Sequence, residues 1–188
     1  MSVRRMSLVI VAFLATSVIP AGAQLRLGDV VSEYGYDGII GKWVATGDGG
    51  RKYEIEYKWA LDKHVIIVDV KIGGFKYHGM IMFVPSRLEV VQIGADNMGR
   101  TWKGTWDESY EGPVNRSECL NSDGTTEKME HVYVKIDSNN FRVKDYAVGA
   151  DGYRLSQPRS ELIFKRRRVG QPQLIDKPGK TQKPKKDD

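Results

Sequence analysis

Residues 75–106 read FKYHGMIMFV (75–84), PS (85–86), RLEVVQIG (87–94), ADNMG (95–99) and RTWKGTW (100–106). Three short apolar and aromatic runs separated by turn residues are the pattern of an antiparallel meander. Side chains on a strand alternate between its two faces, so Trp102, Gly104 and Trp106 share one face and Thr101, Lys103 and Thr105 the other. Large rings on one face and polar groups on the other describe a sheet with a dry side. Gly104, between the tryptophans, marks a bend or a close approach of backbone.

The same period extends outward in both directions. Gly41-Lys42-Trp43 opens a first strand, and Gly47-Asp48-Gly49-Gly50 reverses it. In 51–60, Tyr53, Ile55, Tyr57 and Trp59 alternate with Lys52, Glu54, Glu56 and Lys58. A tight reversal at 61–63 leads into the β-branched run 64–72, which Gly73-Gly74 turns into the meander. Beyond Trp106, the acidic stretch 107–113 is expected as a longer loop. Residues 114–120 and 125–136 flank the turn 121–124, and on the second of these Met129, His131 and Tyr133 share a face. Turns at 137–140 and 149–152 separate the last strands, which end in Leu162-Ile163-Phe164.

These elements make an all-β chain of about ten strands with turns at the spacing of a sandwich or barrel. Consecutive hairpins favour an up-and-down antiparallel β-barrel over residues 41–166, because closure removes exposed edges. Ahead of it, residues 24–40 carry Val30, Val31, Tyr34, Ile39 and Ile40 among glycines. With Asp29 as N-cap, they are expected to form a short helical segment that plugs one end.

Residues 1–23 have the three parts of a secretory signal peptide: Arg4 and Arg5, an apolar run at 8–19, and Ala21-Gly22-Ala23 as a cleavage site. The apolar run is shorter than the ~20 residues a membrane-spanning helix requires, so no transmembrane segment is expected after cleavage before Gln24. The protein is thus expected to be exported, periplasmic or secreted. Cleavage leaves 165 of the 188 residues, enough for one domain with its own core. Cys119 is the single cysteine, so no internal disulfide forms; it reads as a half-buried strand residue.

Charge is unevenly placed. Nine Lys or Arg against three Asp from Lys165 onward give +6, the signal adds +2, and the chain total is +5, which leaves −3 for the folded body. The basic residues therefore belong to a proline-punctuated tail, 167–188, expected to be disordered and able to tether to an anionic envelope surface. Export and the lack of a basic, aromatic-interleaved patch in the body argue against a nucleic-acid partner.

The ordered set Gly41-Lys42-Trp43, Trp59-Ala60-Leu61-Asp62, His78-Gly79-Met80, Asp96-Asn97-Met98-Gly99 and Gly104-Thr105-Trp106, closed by Arg166 after Phe164, resembles the lipocalin-like calycin barrels. The resemblance is to a small bacterial group of that superfamily, a domain of unknown function, and covers about 39–166. It implies that Gly41 and Trp43 open the barrel at its closed end and that Arg166 or Lys165 packs on Trp43 as a cation-π pair, a structural closure. The long loops and the disulfide of true lipocalins are absent.

A barrel interior either fills with side chains or holds one ligand. Candidate lining residues are Tyr53, Tyr57, Trp59, Trp102, Trp106, Met129, His131 and Tyr133, an apolar surface with hydroxyl and imidazole handles suited to a small apolar or amphipathic molecule. The leading expectation is an exported, non-enzymatic ligand-binding barrel. The alternatives are an envelope interaction module with a filled core and a haem-binding or catalytic barrel, with His131 as the residue to ligate haem. His64, His78 and His131 stand on different strands without metal-ligand spacing, so no metal site and no obligate cofactor is expected. No paired-carboxylate or Ser-His-Asp pattern nominates a catalytic residue.

Overall fold

A computed structural model describes residues 25–167; the proposed signal at 1–23 and all but the first residue of the basic tail lie outside them. The chain opens with helix α1 (Leu27–Glu33) and a single 3-10 turn (Asp37–Ile39). Asp29 is the third residue of α1 rather than its cap. Its carboxylate accepts from the backbone amide of Arg26 at 2.9 Å and from the Arg26 guanidinium at 3.0 Å, so it holds the first turn from inside the helix.

Ten strands follow: β1 (Gly41–Thr46), β2 (Lys52–Ala60), β3 (Val65–Ile72), β4 (Phe75–Val84), β5 (Glu89–Asp96), β6 (Thr101–Ser109), β7 (Gly112–Leu120), β8 (Thr126–Lys135), β9 (Asn140–Ala147) and β10 (Ser160–Arg166). Each pairs antiparallel with its sequence neighbours, and β1 meets β10 through Trp43 opposite Arg166. The result is a closed up-and-down barrel with no free sheet edge.

The stretch 107–113 is not a loop. Strand β6 runs through Asp107 and Glu108 to Ser109, which pairs with Gly112, so only Tyr110 and Glu111 turn the chain. The acidic run is held by cations from other segments: Asp107 on β6 pairs with Arg116, and Glu111 in the turn with Lys144 and Arg154. The long connection lies instead between β9 and β10. There the turn at 149–152 is followed by residues that fold back against β9, bridging Val148 to Arg154.

Alternation places Trp43, Ile55, Tyr57, Ile66, Phe141 and Phe164 in the main core inside the barrel. A second cluster, Val114, Val132 and Tyr146, sits on the opposite faces of β7, β8 and β9. Arg154 covers it, its guanidinium 4.6 Å over the Tyr146 ring and 3.0 Å from Glu130, which Arg116 also holds at 3.1 Å. An outer wall is thereby dried without a second sheet. Cys119 is fully buried on β7, more deeply than its sequence context suggests, and burial pushes its thiol pKa up.

Gly104 is a point of close approach. A Cβ there would stand 2.5 Å from the carbonyl oxygen of Arg116 on β7, inside contact distance. The missing side chain lets β6 and β7 close up between the two inward-facing tryptophans.

Candidate functional site

The barrel is hollow on both sides of a narrow waist. The larger chamber, about 400 Å³, lies under the N-terminal segment: Leu27, Val31 and Ile39 roof it, and Ile81, Phe83 and Trp106 form part of its wall. Its ionisable lining residues apart from tyrosine are all acids, Glu33, Asp107 and Glu108, of which the Asp107 carboxylate is itself turned outward to Arg116. The smaller chamber, about 250 Å³, opens toward the other end and mixes Tyr53, Val70 and Trp102 with the polar groups of Gln92, Asn115 and Asp145.

Tyr57 from β2 and Tyr133 from β8 border both chambers, and burial raises both phenol pKa values: Tyr133 to about 12 and Tyr57 well above its ordinary value. Both stay protonated at neutral pH. They are hydrogen-bonding groups of an uncharged waist rather than acids.

Of the remaining residues proposed from sequence, Tyr53, Trp102, Met129 and His131 line the smaller chamber and Trp106 the larger. Trp59 lines neither. It is half-buried near the end of β2, where it packs against the core instead of facing free space.

The N–H groups of Trp102 and Trp106 have protein partners. Trp106 Nε1 donates to Gln92 Oε1 at 2.9 Å, and Gln92 Nε2 donates to Tyr77 Oη at 3.0 Å. Trp102 Nε1 donates to Asp96 Oδ2 at 2.9 Å, which also accepts from Arg100 at 2.7 Å. With their N–H groups satisfied, these indoles turn apolar ring surface to the lumen. Tyr77 lies flat against its sheet because Gly79 and Gly94 have no Cβ; one added at Gly94 would stand 2.5 Å from the Tyr77 hydroxyl. The polar lining groups Gln92, Asn115 and Asp145 carry no aromatic-stripe signal. They become visible only through strand register, since each shares the inward face of its strand with a ring or an apolar residue.

His131 faces the smaller chamber with Nε2 3.5 Å from Asp145 Oδ1, and Asp145 is also held by Arg159 at 2.9 Å. Burial lowers the His131 pKa, Asp145 opposes that and Arg159 adds to it. This surrounding does not fit an axial haem ligand: Nε2 is turned to a carboxylate, and the chamber is smaller than the ~300 Å³ at which ligand pockets generally begin. Among the described residues, no group of three or more His, Cys, Asp or Glu is arranged to hold a metal ion.

At the end where β1 begins and β10 finishes, the Arg166 guanidinium lies 4.2 Å over the Trp43 ring. Trp43 Nε1 donates to the Ile39 carbonyl at 2.7 Å, and Arg166 donates to the carbonyls of Ile40 at 2.8 Å, of Ser138 at 3.2 Å and of Gly38. One arginine therefore ties the roof segment, the barrel seam and the turn after β8.

No protein-family model matches the chain, and no curated protein is similar to it. The fold and interior define its class: a closed ten-stranded antiparallel barrel with a hollow lumen, consistent with a calycin-like fold.

Proposed function

We propose that this chain is an exported, non-enzymatic, lipocalin-like barrel that holds a small hydrophobic or amphipathic molecule in its interior. The supporting observation is the empty space beneath α1. About 400 Å³ walled by apolar side chains falls within the ~300–1,000 Å³ range of small-molecule sites, and a barrel built only for stability gains contacts by filling it. The apolar part of the ligand lies against Trp106, Phe83 and Ile81, and the phenols of Tyr57 and Tyr133 offer hydrogen bonds at its inner end.

Titrating the mature protein with saturated fatty alcohols while following tryptophan fluorescence, with native mass spectrometry for stoichiometry, tests this. One molecule per chain is expected, and Val90→Trp, which fills the chamber, abolishes binding while the protein stays folded. No saturable binding across the alcohol series, or equal binding by Val90→Trp, defeats the proposal. Export rests on residues 1–23, and the mature protein recovered outside the cytoplasm is expected to begin at Gln24.

A further inference from the structure

The connections at the two ends of the barrel are built differently. At one end, 47–51, 73–74 and 121–125 are made largely of Gly, Asp and Asn, and exposed large apolar side chains sit on only two of the five connections: Met98 in 97–100, and Tyr153 and Leu155 on the long link after β9. At the other, around the mouth of the larger chamber, each connection carries one large apolar side chain turned out to solvent. Leu61 is 72% exposed, Leu88 79%, Tyr110 92% and Ile136 47%.

Folding does not account for these choices. Leu61 and Leu88 sit at φ 48° and 54°, in the left-handed region where a leucine is strained and where Asn or Gly is cheaper. Exposed leucines on strained turns gain nothing from the core. The roof adds Leu25 and Tyr34, both exposed and both at the rim of the chamber that Leu88 also lines. The chain leaves the barrel at this end, where the Arg167 amide donates to the Lys42 carbonyl at 2.8 Å. From residue 168 onward it carries six Lys or Arg against three Asp.

We propose that this end is a lipid-docking surface. Leu61, Leu88 and Ile136 enter the boundary between headgroups and acyl chains, Tyr110 and Tyr34 lie at headgroup depth, and the cations after Arg167 draw the barrel to anionic lipid. A bilayer is favoured over a protein partner because the tips are separate protrusions around an opening. A bilayer accepts isolated anchors, whereas a protein interface needs a contiguous close-packed centre. Docked this way, the mouth of the larger chamber faces the source of apolar molecules. The surface stands on the turns and the chain end, whether or not the chambers hold a ligand.

Flotation of the mature full-length chain with phosphatidylcholine vesicles, with and without phosphatidylglycerol, tests the proposal. The parent is expected to float with both and more strongly with the anionic ones. Leu61→Asn with Leu88→Asn is expected to bind about tenfold less. Its melting temperature is unchanged or higher, because Asn tolerates the left-handed turn, which separates lost docking from lost folding. Removing 168–188 abolishes the preference for phosphatidylglycerol. The proposal is overturned if the parent stays soluble with both vesicle types or if the double Asn variant floats as the parent does. It is equally overturned if these tips instead drive self-association that the double variant loses, with no lipid bound.

Discussion

The hydroxyls of Tyr57 on β2 and Tyr133 on β8 meet at 3.4 Å across the lumen, and this pair separates the two chambers. Neither strand neighbours the other in the sheet; closure of the barrel alone brings them face to face. Tyr57→Phe leaves the Tyr133 hydroxyl without this partner and is expected to cost about 1 kcal/mol in denaturant unfolding. The double variant with Tyr133→Phe is expected to cost less than the two single changes added together. It also widens the waist, so the longest alcohol bound lengthens in the fluorescence titration. Additive costs with an unchanged chain-length limit would show that the pair divides nothing.

Arg166 is expected to be the most sensitive surface-reaching position. It stacks on Trp43 and donates to three backbone carbonyls in two separate segments, so Arg166→Ala should cost about 2–4 kcal/mol. Arg166→Lys should recover less than half of that, because an ammonium cannot stack flat on the ring and reach the same acceptors. Denaturation followed by tryptophan fluorescence measures both, and full recovery by lysine would reduce the role to charge.

Close approach of strands makes a sharper claim about glycine than flexibility does. Gly104→Ala should cost about 1–3 kcal/mol because its methyl would meet the Arg116 carbonyl. Gly38→Ala has nothing within 4 Å of the added carbon and should lie within about 0.5 kcal/mol of the parent. Thermal melts of the two variants side by side decide it.

His131 gives the fold a pH dependence of known sign. Burial lowers its pKa in the folded state, so as pH falls below the ordinary histidine value of about 6.5 the unfolded chain takes up a proton that the folded chain resists. Stability should decline from there and level off once pH passes beneath the folded value. His131→Asn should flatten that part of the stability-pH curve. A curve equally steep in the variant assigns the dependence to other groups.

Much of this architecture is a local property of the chain. Alternation in 51–60, 101–106 and 129–133 is readable residue by residue because neighbouring side chains on a strand must point to opposite faces, and turn chemistry at 47–50, 73–74 and 121–124 marks the reversals. Ten strands in hairpin order, the sides their rings take and the short helix ahead of them follow from that. What lies opposite what does not. Asp107 reads as a loop residue because the cation that holds it in extended structure, Arg116, comes from another strand, and the tight turn at Glu111 is held by Lys144 of β9 and Arg154 of the fold-back after it. Trp59 has the alternation of a lining residue yet packs against the core near the end of β2 rather than on either chamber. Division of the lumen at Tyr57 and Tyr133, the polar wall of Gln92, Asn115 and Asp145, and the gathering of Leu61, Leu88 and Tyr110 around one mouth depend on closure and register. Those are set by pairings between distant segments, which no window of sequence contains.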